Sequence, residues 1–169
     1  DQNKDHFNML PAGLLVDLAA APHSRPHVVV RIELQADPAE PQDPLMPRRP
    51  EIMHGLGNLL QNAIEFSREE VKVTIAWTRS ELVITIADDG PGFPVDVLRR
   101  LGDPYLSTAT EGLDQGQRQG DHMGLGIFIA QNLLERTGGT VSFRNHDYGG
   151  AEARVAWPRA AFTNGSVPE

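Results

Sequence analysis

The sequence predicts an α+β fold, a two-layer α/β sandwich in which a mixed, mostly antiparallel sheet carries helices on one face. Three observations predict it. Residues 71–77 and 82–87 read as strands separated by a short polar stretch, as do 140–145 and 151–157, so each pair forms a hairpin. Two long amphipathic segments, near 50–67 and 124–137, are inserted between the strands. Residues 106–123 are polar, glycine-dotted and without period, and a connection that long in a compact domain is usually functional. Hairpins with helices inserted among them bury their apolar faces by stacking in two layers.

At 169 residues, 40% hydrophobic and 22% charged, the chain has the make-up of one globular domain. A formal charge of −8 argues against a nucleic-acid partner, which requires net positive surface. Without cysteine there is neither a disulfide nor a thiolate metal site. No apolar run approaches the ~20 residues that span a bilayer. The polar opening Asp1-Gln2-Asn3-Lys4-Asp5, with no initiator methionine, suggests a fragment of something longer. Residues 1–11 are expected as a leading linker, 12–160 as the domain and 161–169 as a flexible tail.

Within the domain, 8–20 is a mildly apolar lead-in, a short strand and a helical turn or more. A strand at 28–34 follows, then a proline-rich loop over 37–50 with at most a short edge strand. Pro50 suits the first helical turn and Glu51 the positive dipole end, so a helix runs from there to about Ser67. Ile52, Leu56, Leu59, Leu60 and Ala63 form its buried stripe. After the first hairpin comes a short helix at 94–101. The second long helix starts at Gly124, and Gly138 ends it in a left-handed cap. Trp77 and Trp157 are expected in the core.

Three segments carry chemistry. On the first long helix, Asn58 and Asn62 stand one turn apart, in line with His54 and Glu65 and opposite the apolar stripe. They form either a solvated face or a set of amide oxygens for a hard cation such as Mg²⁺. A strand then runs into Asp88-Asp89-Gly90-Pro91-Gly92-Phe93. This is an ordinary turn, or a carboxylate placed to accept a hydrogen bond from the exocyclic amine of adenine, with glycines letting the backbone approach the base. The third, His122-Met123-Gly124-Leu125-Gly126, exposes backbone N–H groups where a helix begins, a cradle for phosphate. No parallel βαβ unit surrounds it, so a dinucleotide-binding reading fails.

In that order, these segments resemble the Bergerat-type ATP-binding fold shared by DNA gyrase B, the heat-shock chaperone of that class, histidine kinases and MutL. The resemblance covers roughly residues 12–158. The ATPase members place a glutamate base where Asn58 stands, and an amide cannot take a proton from water at neutral pH. The resemblance thus narrows to histidine kinases. Arg49 through Phe66, Leu101 through Tyr105, and His122 through Gly138 are similar to the RegB/PrrB type of redox-responsive sensor kinase. Glu65 and Phe66 stand where many kinases have lysine and tyrosine.

The resemblance implies a bound Mg-ATP. Asn62 would hold the metal, with Asn58 beside it or on phosphate through water, and Asp88 would read adenine. Glu65, Phe66, Gly90, Gly92, Phe93 and Tyr105 would shape the pocket, under an ATP lid over 106–123. His122, Met123, Gly124, Leu125 and Gly126 would meet the phosphates, although a lone lid histidine is as readily solvated. The γ-phosphoryl would pass to a histidine on a dimerisation and phosphotransfer domain outside this chain, then to a response regulator. No histidine here stands in the helical acceptor context, His54 and His6 included. A cytoplasmic, monomeric piece of a membrane-linked sensor is expected. The alternative is a non-catalytic nucleotide-gated binding module of the same fold, and a gyrase-class ATPase is disfavoured by Asn58.

Overall fold

The computed structural model describes residues 8–102 and 118–162. The main sheet contains β2 (Val29–Ala36), β4 (Glu70–Trp77), β5 (Glu81–Asp88), β6 (Thr140–Asn145) and β7 (Ala151–Pro158), in the spatial order β2-β4-β5-β7-β6. The pair β2 and β4 is parallel and every other neighbouring pair antiparallel. Parallel neighbours need a long crossover. Here α2 (Pro50–Phe66) supplies it. A second sheet pairs β1 (Met9–Pro11) with β3 (Leu45–Pro47).

Alternation along the strands decides which face is covered. Val71, Val73, Ile75 and Trp77 of β4 are buried, opposite Ile84 and Ile86 of β5. The intervening residues face away from the helices and carry exposed ion pairs, Lys72 with Glu33 at 3.3 Å and Arg31 with Glu70 at 3.5 Å. Such exposed pairs contribute about 1 kcal/mol each at most. The fold is held by the helical side. There α1 (Ala12–Ala20) and α4 (Arg118–Glu135) flank α2, and α3 (Val95–Gly102) packs on α4. The α2 stripe of Ile52, Leu56, Leu59, Leu60 and Ala63 is buried as its spacing requires. Each fully buried leucine or isoleucine contributes about 1.5–3 kcal/mol.

Both tryptophans are core residues. Their one polar atom is satisfied, Trp77 Nε1 donating to the Glu40 carbonyl at 2.6 Å and Trp157 Nε1 to Thr137 Oγ1 at 2.8 Å. Gly138 has φ +93° and ends the α4 region, with Gly139 N–H reaching back to the Leu134 carbonyl at 3.1 Å. Among the described residues no helix is long and apolar enough to cross a membrane.

Three boundaries differ from expectation. Met9–Pro11 form the short strand expected of the lead-in, and pairing with β3 makes them part of the packed region rather than the end of a linker. At the other end Ala161 and Phe162 belong to the packed domain, Phe162 lying 5.4 Å from the Trp157 ring. The largest difference is at α4, which starts at Arg118, so Gly124 and Gly126 are the seventh and ninth residues of a helix. Glycine disfavours a helix interior by only about 1 kcal/mol. That is too little to end a helix anchored by the buried Ile127, Ala130 and Leu134.

The α2–α4 separation rests on Gly55, where a Cβ would lie 2.6 Å from Cγ of the fully buried Leu134. Gly55→Val should therefore lower unfolding free energy by about 2 kcal/mol through overpacking. Urea denaturation should show this as a lower midpoint with an unchanged slope.

Candidate functional site

The site lies where α2, α4 and the end of β5 meet. A cavity of about 290 Å³ opens between the two helices. From α2 it is lined by Asn58, Gln61, Asn62, Glu65 and Phe66, and from α4 by the stretch 125–127 and Ile129. The i, i+4, i+7 spacing of Asn58, Asn62 and Glu65 puts them within one narrow sector of α2. Asn58 Nδ2 donates to the Gly126 carbonyl at 3.4 Å, which leaves its Oδ1 as the acceptor facing other groups. The amide and carboxylate oxygens of Asn58, Asn62 and Glu65 are the hard donors that suit Mg²⁺, so the lining fits that ion.

Beside this cavity, Asn62 also borders a recess whose floor holds Asp88 and whose walls include Ala63, Phe93, Ile127 and Ala153. Its volume of about 10 Å³ is no larger than one water requires. Asp88 Oδ1 accepts the Gly90 N–H at 2.9 Å and the Ala151 N–H at 3.3 Å. Burial raises the pKa of this carboxyl above 3.8, partly offset by those two N–H groups; Asp89 raises it further and His146 lowers it.

The Asp88 loop is held from three directions. A Cβ at residue 90 would overlap the Phe66 carbonyl at the end of α2, so only glycine lets the loop lie there. Gly150, at φ +98°, meets the Asp88 carbonyl with the same closeness from the β6–β7 hairpin. Asn145 grips Phe93 at both polar atoms of its backbone, accepting its N–H at 2.7 Å and donating to its carbonyl at 2.8 Å. The Phe93 ring stands edge-on to Phe143 of β6 at 5.7 Å.

Two of these residues escaped the sequence reading. Asp89 accepts the backbone N–H groups of Arg68, Glu69 and Glu70 at 2.6–3.2 Å, tying the start of β4 to the loop. Its one sequence signal was its place as the second carboxylate in Asp-Asp-Gly. Asn145 gave none, because its partner is 52 residues away. Behind the loop Glu152, buried, binds Arg144 at 2.6 Å and His146 at 3.2 Å, and Tyr148 stacks on His146 at 5.0 Å.

Of the expected residues, Asn58, Asn62, Glu65, Phe66, Leu125 and Gly126 come together at the cavity. Asp88 and Phe93 line the recess, with Gly90 and Gly92 in the loop between them. Gly124 lies on α4 near Arg100 rather than at an open helix end. Gly124 and Gly126 thus lie beyond the first turn of α4, where backbone N–H groups bond within the helix. His122 and Met123 fall in the first turns of α4, and Tyr105 lies outside the described residues.

Removing the Asn145 side chain should free the loop. Asn145→Ala is expected to lower stability by about 1–3 kcal/mol, the cost of leaving two backbone groups of Phe93 unpaired, measurable by thermal unfolding. The raised pKa of Asp88 sets a second expectation. Above 3.8 the unfolded chain loses this proton first, so the contribution of Asp88 to stability falls as pH rises through its folded value. Stability measured across that window should shift in favour of Asp88→Asn relative to the native protein.

Comparison with known proteins agrees with this geometry. Residues 48–161 match the family of histidine kinase-, DNA gyrase B- and HSP90-like ATPases. The chain is 38% identical over 170 residues to the sensor histidine kinase RegB of Cereibacter sphaeroides, covering 92% of this chain and 37% of that protein. It is 33% identical over 105 residues to the C4-dicarboxylate transport sensor protein DctB of Pseudomonas aeruginosa, covering 59% of this chain and 16% of DctB. Sporulation kinase A of Bacillus subtilis is 30% identical over 104 residues, 60% of this chain and 16% of the kinase. The chain thus spans little more than a third of the RegB length. It belongs to the histidine kinase-, DNA gyrase B- and HSP90-like ATPase family, and is similar there to the ATP-binding catalytic module of RegB-like sensor histidine kinases.

Proposed function

We propose that this domain binds Mg-ATP between α2 and α4 and presents the γ-phosphoryl to a histidine carried by the dimerisation domain of a parent sensor kinase, for relay to a response regulator. The observation that carries this reading is the state of Asp88. One carboxylate oxygen is occupied by two backbone N–H groups, the other accepts no hydrogen bond among the described residues, and the residue borders a small recess lined mainly by apolar side chains. An exocyclic amine is the donor such an oxygen selects, and adenine carries one. Because the recess holds about 10 Å³, the base enters only when Phe93 and Ile127 part. That parting links base binding to the position of α4.

The polyphosphate then extends along α2 past Asn62 and Asn58. Mg²⁺, when bound, supplies charge neutralisation to the phosphates. Asn58 and Asn62 orient the triphosphate. Neither amide accepts a proton from water, so the position where ATPases of this fold carry a glutamate base cannot activate a hydrolytic water. Transfer to histidine then depends on positioning, the dominant contribution when little covalent chemistry is left to the protein.

Calorimetric titration with ATP and Mg²⁺ tests the binding half. Saturable binding is expected, and Asp88→Asn should weaken it by roughly 30-fold or more, about 2 kcal/mol, while the domain stays folded. Tight ATP binding by that variant would overturn the adenine assignment. Mixing the domain with the parent kinase's acceptor helices should yield acid-labile phosphohistidine. A domain that binds ATP but phosphorylates no acceptor is a nucleotide-gated binding module.

A further inference from the structure

The cavity between α2 and α4 has an electrostatic peculiarity. Glu65 is its one charged lining residue among those described, and the charge has the sign of the phosphates it would meet. The side chain is exposed, and among the described residues it makes no hydrogen bond or ion pair. It stands on α2 three residues after Asn62 and seven after Asn58, in the same sector of the helix. Asn58 has its Nδ2 committed to the Gly126 carbonyl, so its oxygen is the atom left to the cavity. The lining therefore offers two amide oxygens, the Gln61 oxygen and one carboxylate, and no cationic side chain among the described residues.

We infer that Glu65 makes this nucleotide site selective for the metal complex of a nucleoside triphosphate, serving with Asn62 as a ligand to the divalent cation and repelling the metal-free nucleotide. The inference rests on the nucleotide reading above and adds a residue and a selection rule to it. Its physics is charge balance. A carboxylate with no partner beside a polyphosphate is unfavourable, and more so in a partly enclosed cavity than in water. The same carboxylate becomes favourable when a divalent cation lies between them, because Mg²⁺ takes carboxylate and phosphate oxygens together. One side chain thus raises affinity for Mg-ATP and lowers it for free ATP. A neutral side chain would do neither.

The rule separates Glu65 from Asn62. Loss of an amide ligand weakens Mg-ATP without improving free ATP, whereas loss of the carboxylate changes the two in opposite directions. Both effects are read as binding, independent of any transfer reaction. As an exposed residue with no hydrogen bond or ion pair among the described residues, Glu65 can be replaced without unfolding the domain.

The experiment is calorimetry of the native domain, Glu65→Gln and Glu65→Lys with ATP, once in excess Mg²⁺ and once in EDTA. Titration with Mn²⁺ alone, followed by the electron paramagnetic resonance of the free ion, accompanies it. In the native domain ATP should bind far more tightly with Mg²⁺ than in EDTA. Glu65→Gln should shrink that ratio by about tenfold, and Glu65→Lys should tighten ATP in EDTA by about tenfold relative to native. Mn²⁺ alone should bind the native domain more tightly than Glu65→Gln. An unchanged magnesium-to-EDTA ratio in Glu65→Gln, with native Mg-ATP binding intact, overturns the role of Glu65 and leaves the nucleotide reading standing. No Mg-ATP binding by the native domain removes both.

Discussion

Two backbone carbonyls leave no room for a side chain at residues 90 and 150, and the site is built around that crowding. The Phe66 carbonyl ends α2, and the Asp88 carbonyl ends β5. Gly90 and Gly150 let the crossover helix, a central strand and the β6–β7 hairpin converge on one peptide. At that point Asp88 is half-buried and one of its oxygens is bonded by two N–H groups, which fixes the orientation of the carboxylate. Hydrogen bonds accepted by Asp89 from Glu70 N–H and by Asn145 from Phe93 N–H then hold the loop to β4 and β6. The carboxylate acceptor is thus placed by close backbone contacts together with the side chains of Asp89 and Asn145.

Across the cleft the wall is of a different kind. α4 is anchored at its C-terminal half by Ile127, Ala130 and Leu134, and the contact of Leu134 with Gly55 sets its distance from α2. Leu125 and Ile129, which line the cavity, are 61% and 42% exposed, and Gly126 meets α2 through the bond from Asn58. The recess walled in part by Ile127 is, at about 10 Å³, too small for a purine.

Amphipathic periodicity made α2 legible, because its stripe and its amide face each repeat every turn and Pro50 marks its start. Strand alternation made β4, β5 and β7 legible in the same way. The pairing of β1 with β3 was not, since it joins segments more than thirty residues apart and neither is long enough to show a period. The start of α4 was misread because glycine signals a loop only weakly against the packing of the rest of its helix. Among site residues, Asn58, Asn62, Glu65 and Asp88 were visible as polar residues placed where an apolar pattern breaks. Asp89 and Asn145 were not, because their partners are backbone groups that the chain brings near only after folding.

The sequence by itself determined the layer architecture, the two long helices and the family, because periodicity and local turn chemistry are properties of adjacent residues. Tertiary structure alone decided that β7 enters between β5 and β6, that one oxygen of Asp88 accepts two backbone N–H groups, and that a carboxylate lines the cavity with no cationic side chain among the described residues. Each of these depends on contacts between segments distant in the chain, and such contacts form only when the sheet closes and burial removes the water that would otherwise satisfy them.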